Sequence, residues 1–197
     1  MVRQPSINAQ HRPPLSTERI VDAALRIVDG QGLGRLTMRR LGDALEVEAM
    51  AIYHHLPRGK EQLLDGLVAH VAAAPAARPS PADAAAWRDA LRRWARDYRA
   101  RLVEHAGVLP LVVTRRNPPA LAETTASLRE IMRLGGVPED AAATAAHTLL
   151  GYVVGHAALE VRGTPRPGDA DEAGAAASTA DWDRRFTAGL DLVLGAL

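Results

Sequence analysis

The stretch from Leu36 to Lys60, LTMRRLGDALEVEAMAIYHHLPRGK, constrains the fold of this chain more than any other. Thr37 is placed as an N-cap, with a hydroxyl oxygen that accepts from an orphan N–H one turn in. Met38, Leu41, Ala44 and Leu45 then recur at helical spacing, which predicts a short helix with one apolar stripe. Glu46-Val47 interrupts it. A second short helix is expected from about Glu48 to His54, in which only Ile52, with Val47 and Leu56 beside it, has the setting of a buried residue. Pro57 ends this helix, because proline disfavours helical backbone at the residue before it. Two short helices joined by a tight turn, the second weakly amphipathic, describe a helix-turn-helix whose second helix enters a DNA major groove.

The residues around this motif resemble the DNA-binding domain of the tetracycline-repressor (TetR) family of bacterial regulators. The resemblance runs through Ile20-Val21-Asp22-Ala23-Ala24-Leu25, Gly32-Leu33, Leu36-Thr37, Leu41 and Ala44-Leu45. It continues through Ala51-Ile52-Tyr53-His54-His55-Leu56 and Gly59-Lys60-Glu61-Gln62-Leu63-Leu64, keeping one register over about 50 residues. One departure stands out: Glu46 occupies a position where the family usually has glycine, because the turn wants a positive φ. A side chain there costs on the order of 1–2 kcal/mol. By resemblance, Arg39 reaches a guanine edge, and Ala49, Met50 and Ala51 head the recognition helix against thymine methyls. Thr37, Tyr53, His55 and Lys60 are then the expected phosphate contacts.

Composition bounds the alternatives. The 197 residues contain no cysteine, which removes disulfides, thiolate metal sites and cysteine nucleophiles. No apolar run approaches the roughly 18 residues of a membrane span, and the first residues lack a signal peptide's apolar core. A soluble, cytoplasmic protein with no membrane partner is expected. Net charge is only +1, but residues 1–60 hold 9 Lys+Arg against 6 Asp+Glu, net +3, leaving net −2 for the remainder. Basic charge is thus concentrated at the motif end, as contact with phosphate requires.

In chain order, residues 1–14 carry Arg3, His11 and Arg12 among prolines, with no period, and are expected to form a flexible arm. Ser16 caps the first helix, with core stripe Ile20, Ala23, Ala24, Ile27 and Val28, and Gly30 to Gly32 stop it. The helix-turn-helix domain is thereby expected over 15–60. Residues 61–197 are assigned to a larger body, with a connecting helix over about 60–74 that ends at the proline-rich run 75–81.

Beyond that run the pattern is helical throughout. Trp87, Ala90, Leu91, Trp94, Tyr98 and Leu102 form one aromatic face. A short apolar piece covers 109–113, and Asn117 is placed as the cap of a helix carrying Leu121, Leu128, Ile131 and Met132. Pro138 opens a helix rich in alanine and glycine, 163–179 reads as a mobile loop, and Asp181 is placed to cap a final helix. An all-α chain of two domains follows. The small, apolar helix over 145–159 and the last helix, with its stripe of Trp182, Phe186, Leu190, Val193 and Leu194, are expected to pair with their symmetry mates in a homodimer. Gly155 and Leu190 are the residues expected in that interface.

More faintly, Trp87, Leu91, Thr114-Arg115, Gly151 and Leu159-Glu160 resemble landmarks of the tetracycline-binding branch of the family. In that branch a histidine just before the Thr-Arg pair ligates a magnesium ion carried by the drug; here the position is Leu111. Neither a metal nor a resident cofactor is therefore expected. The resemblance implies a largely apolar effector pocket, for which Trp94, Tyr98, Leu111, Thr114, Leu128, Met132 and His147 are the candidates. Catalysis finds no constellation. His156 and Glu160 share a helix face, but His147 lies nine residues from His156 and hence on nearly the opposite face. The expected function is a repressor that binds double-stranded operator DNA as a dimer and is released by a small, apolar or aromatic effector. The rival readings are a ligand-blind dimeric DNA-binding protein and, more remotely, a helical enzyme.

Overall fold

The computed structural model describes residues 14–73, 86–115, 118–164 and 178–197, and among them the chain is entirely helical. The helices are α1 (Thr17–Gln31), α2 (Met38–Leu45), α3 (Ala49–His55), α4 (Lys60–Ala72), α5 (Trp87–Glu104), α6 (Leu109–Thr114), α7 (Pro118–Leu134), α8 (Glu139–Gly163) and α9 (Thr179–Gly195). The expected arm, the proline-rich run, Asn117 and most of the expected loop over 163–179 lie outside the described residues.

In the first four helices local chemistry sets the ends and apolar spacing sets the packing. Ser16 Oγ accepts from the N–H of Arg19 at 3.2 Å, and Thr37 Oγ1 accepts from that of Arg40 at 3.1 Å. Both caps satisfy one of the helix's orphan donors. Ile20, Ala24 and Val28 on α1 face the buried Leu63, Leu67 and Val71 of α4, and Leu36, Leu41, Ile52 and Leu56 close the same small core.

The remaining helices pack around α8, which runs along both α5 and α7 and also touches α9. Its inner face is Ala142, Ala146, Leu149, Val153 and Ala157, all fully buried. Small residues let three neighbours approach one helix closely. At the end of α8 the buried Glu160 is gripped by Arg99 of α5, whose Nε and Nη2 donate to its two carboxylate oxygens at 2.7 and 2.8 Å. The same guanidinium donates to Asp183 of α9 at 2.6 Å, so one arginine joins three helices.

Two expectations for the last helices are corrected. The cap of α9 is Ser178, which with Asp181 forms a reciprocal capping box, so the helix begins two residues before Asp181. Leu190 and Phe186 are each 1% exposed, buried against α8 within the same protomer, so they are core and not interface. The apolar residue that α9 turns outward is Leu192, 79% exposed.

Candidate functional site

The turn between α2 and α3 is built on one unusual backbone position and one close approach. Glu46 sits at φ 55°, ψ 44°, the left-handed region, and is the only non-glycine residue with positive φ among those described. The expected conformation is therefore adopted despite the side chain. Gly42 lies directly beneath the turn, where its carbonyl accepts from Val47 N–H at 3.0 Å and an added Cβ would stand 2.8 Å from Val47 O. The close approach fixes the angle between the two helices.

On α3 only Ile52 is buried, and it anchors the helix to the head. Met50 is 68% exposed, His54 and His55 are exposed, and Ala49 and Ala51 are half-buried. Tyr53 lies across the start of α4: an added Cβ on Gly59 would come within 2.8 Å of its Cε1. Gly59 itself has φ 57°, ψ −130°, a conformation that suits glycine alone. Immediately after it Lys60, the only lysine in the chain, is exposed at the first position of α4. Arg39 is exposed on α2 and has no hydrogen-bond or ion-pair partner among the described residues. Thr37 spends its oxygen lone pair on the α2 cap but keeps its hydroxyl proton free to donate outward. The eight candidate DNA contacts thus fall on one end of the molecule, on α2, α3 and the first position of α4, with Thr37 as the cap of α2.

The seven candidate effector contacts separate into two groups. Trp94 and Tyr98 stack at 5.1 Å between ring centroids with 23° between planes, and both are buried. Leu128 and Met132 are fully buried in the same core, and Leu111 packs on its margin. Trp94 Nε1 is buried with no hydrogen-bond partner, while Tyr98 donates to Ala72 O at the end of α4 at 3.3 Å. Burial pushes the Tyr98 hydroxyl up to about 12. Thr114 and His147 do not join them. Thr114 is exposed and donates to Pro110 O at 2.8 Å, and His147 is exposed with Nδ1 3.0 Å from Ala143 O. Each is satisfied by the backbone of its own preceding turn.

Between the two ends lie polar seams that sequence spacing did not reveal. Arg115, just after α6, donates through Nη2 to Asp65 at 2.7 Å and to Glu61 at 2.9 Å, both on α4. The Arg115 guanidinium beside Asp65, more than the nearby Arg58, holds that carboxyl below its usual range. On the other side His105 Nδ1 stands 3.0 Å from Asp29 at the end of α1, and Gly107 passes so close to Val28 that a Cβ would meet its side chain at 2.7 Å.

The outer side of α8 forms an apolar surface with α9. A groove of about 520 Å³ is lined by Ala141, Thr144, Ala145, Thr148, Val193 and Leu197. Thr144 and Thr148 donate their hydroxyls to carbonyls one turn back, which leaves methyl groups facing outward. Farther along the helix Gly151 and Gly155 open onto free space, followed by Leu159, 62% exposed.

Comparison with known proteins gives one consistent result. The family model described as bacterial regulatory proteins, tetR family, matches residues 20–67, and that for the tetracyclin repressor-like C-terminal domain matches residues 80–180. The HTH-type transcriptional repressor DrrR1 of Streptomyces coeruleorubidus is 32% identical over 149 residues, 74% of this chain and 54% of that protein. The class E tetracycline repressor of Escherichia coli is 30% identical over 128 residues, 64% and 60% of the two chains. The chain therefore spans little more than half the length of these two relatives. Among solved structures, BioQ of Mycobacterium smegmatis superposes with a TM-score of 0.69 at 29% identity, over 93% of this chain and 97% of that one. A BioQ crystallised with its double-stranded DNA operator gives 0.66 at 27% identity, over 93% and 98%.

Proposed function

The chain belongs to the tetR family of bacterial regulatory proteins, and from that premise we propose that it is a dimeric, effector-released repressor of a two-fold symmetric operator. The observation that carries the reading is the helix-turn-helix end itself. Arg39, Met50 and Lys60 project there with their polar or apolar tips uncommitted, around a recognition helix whose one buried side chain is Ile52. Arg39 reads a guanine edge, for which a bidentate guanidinium contact is worth about 1–3 kcal/mol of discrimination. Ala49, Met50 and Ala51 meet thymine methyls, while Thr37, Tyr53, His55 and Lys60 hold phosphates and set the register.

A symmetric operator needs two heads, and the outer face of α8 and α9 supports the dimer. Its hydroxyls are already satisfied, its glycines permit close helix approach, and Leu159 and Leu192 are large apolar groups left in water. The paired heads then stand about 34–36 Å apart, one turn of the duplex.

The effector site is the interior around Trp94, Tyr98, Leu128 and Met132, with Leu111 at its rim. An aromatic stack among aliphatic side chains suits an apolar, flat molecule, and the unpartnered Trp94 Nε1 offers it one hydrogen bond. With Leu111 where the tetracycline branch has its ligating histidine, binding is independent of magnesium. Thr114 and His147 stand outside this interior, each hydrogen-bonded to the backbone one turn back.

Selection of duplexes from a random-sequence library by the full chain, followed by titration of candidate effectors with and without EDTA, tests the proposal. The expected result is a palindromic site, released by an apolar ligand equally well in both conditions. Arg39→Ala should relax base preference at one position per half-site, and Lys60→Ala should weaken all sequences while shallowing the salt slope. Recovery of no preferred sequence, or release abolished by EDTA, overturns the corresponding half of the reading.

A further inference from the structure

The direction opposite the buried Ile52 on α3 is shared by Met50 and His54, four residues and one turn apart. These two side chains stand farthest from the core on a helix that the proposed function places in the major groove. Their neighbours are disposed otherwise. Tyr53 is laid against Gly59, and Ala49 and Ala51 are half-buried and end in methyl groups. Of the residues on this outermost line, His54 alone carries a nitrogen able to donate a hydrogen bond. It is exposed and has no hydrogen-bond, ion-pair or ring partner among the described residues.

We propose that His54 is an operator-contacting residue that donates to an acceptor on the duplex, and that operator binding by this chain takes up a proton there. The inference deepens the reading of α3 as the recognition helix and rests on it. An imidazole that gains a second N–H and a positive charge meets a phosphate oxygen, or the N7 and O6 edge of guanine, better than the neutral ring does. Histidine is also the side chain whose charge changes between about pH 5 and 8. The charged groups on the surrounding elements are Arg39, Arg40 and Asp43 of α2, Glu46 and Glu48 of the turn, His55 of α3 itself, and Arg58, Lys60 and Glu61 beyond it. None of them forms an ion pair with His54, so the strongest charge it meets is that of the DNA.

The experiment uses the full chain and the duplex it selects from a random-sequence library, at about pH 6 and about pH 8. Affinities are measured across a salt series for the wild type, His54→Gln and His55→Gln, with a scrambled duplex of equal length as control. If His54 meets a phosphate, the wild-type salt slope should steepen at the lower pH by about two units for a dimer, one contact per half-site. His54→Gln should lose those two units, and any steepening left over belongs to His55, which the proposed function also places at a phosphate, and should vanish when His55→Gln is added. If the acceptor is a guanine, the slope stays constant, but His54→Gln changes the ranking of single-base operator variants and flattens the dependence of affinity on pH. A His54→Gln variant whose affinity, salt slope and ranking match the wild type at both pH values overturns the proposal. A chain that selects no duplex overturns the recognition-helix reading as well, and the two failures are thereby told apart.

Discussion

Arg115 and Asp65 meet across the boundary between body and head, with Nε and Nη2 of the arginine 3.2 and 2.7 Å from a single carboxylate oxygen. The pair ties the residue that follows α6 to the middle of α4, the helix that begins at Lys60 beside the proposed DNA backbone. Any movement of α6 on filling the interior must therefore either carry α4 with it or break this contact.

Asp65→Asn is expected to leave the operator complex intact in the absence of effector and to reduce the loss of affinity that effector causes. A full allosteric coupling is about 1–3 kcal/mol, a 5- to 150-fold change, and the variant should fall toward the lower figure. Effector titrations of the operator complex by fluorescence anisotropy read this directly. An unchanged ratio of affinities with and without effector would assign transmission to α4 packing alone.

Glu46 stands in the left-handed region without the freedom of glycine. Glu46→Gly should raise unfolding stability by about 1 kcal/mol, the strain of a side chain there less the extra chain entropy of glycine. Gly42→Ala should act oppositely, by about 1–3 kcal/mol, because its Cβ would meet Val47 O at 2.8 Å and the turn would have to open. Urea unfolding of the two variants checks both signs.

Substitutions on α8 and α9 separate core from interface. Leu192→Asp and Gly155→Asp should give folded monomers that bind no operator, because both positions face outward. Leu190→Asp should instead unfold the body, since that side chain is 1% exposed inside a protomer. Sedimentation with circular dichroism distinguishes the outcomes, and a dimeric Leu192→Asp at micromolar concentration would move the interface elsewhere.

His156 gives the body its own pH dependence. Both ring nitrogens are buried without a hydrogen-bond partner, amid Trp182 at 5.5 Å, Phe186 at 5.1 Å and Tyr152 at 5.9 Å between centroids. Burial first, then the charge of Arg99, holds its pKa below the ordinary 6.5, although Glu160 opposes the shift. Because the folded state takes up a proton less readily than the unfolded chain, this stabilisation is complete above 6.5 and is lost as pH falls below it. His156→Phe should flatten the decline in urea midpoint between about pH 7.5 and 5.5. A decline of unchanged steepness would place the titrating group elsewhere.

The sequence made the head legible nearly to the residue, because there the determinants are local. Caps at Ser16 and Thr37, the period of Leu41 and Leu45, and the left-handed demand on Glu46 all act within a few residues. In the body the periods of α5 and α9 marked apolar stripes correctly, whereas α8 read as small and apolar nearly all round; neither pattern states its partner. Leu190 and Leu192 differ by two positions on one helix, and only packing against α8 decides which is core. Arg99 and Glu160 are separated by 61 residues, and Arg115 and Asp65 by 50, distances over which spacing carries no signal. Thr114 lies two residues from the buried Val112 and hence on the opposite face of α6, and His147 lies beside the buried face of α8; each hydrogen-bonds to its own helix.

Lys60 gives the chain a chemical singularity. Apart from an α-amino terminus, it is the only primary amine the sequence offers, and it is exposed where α4 begins. Reagents and enzymes that acylate amines thus converge on one side chain at the proposed DNA surface. Acylation there would cancel one positive charge per half-site while leaving the arginine-built seams of the body untouched, since guanidinium groups do not react. A bound duplex, by covering that amine, would protect it, so the extent of labelling would report occupancy of the head.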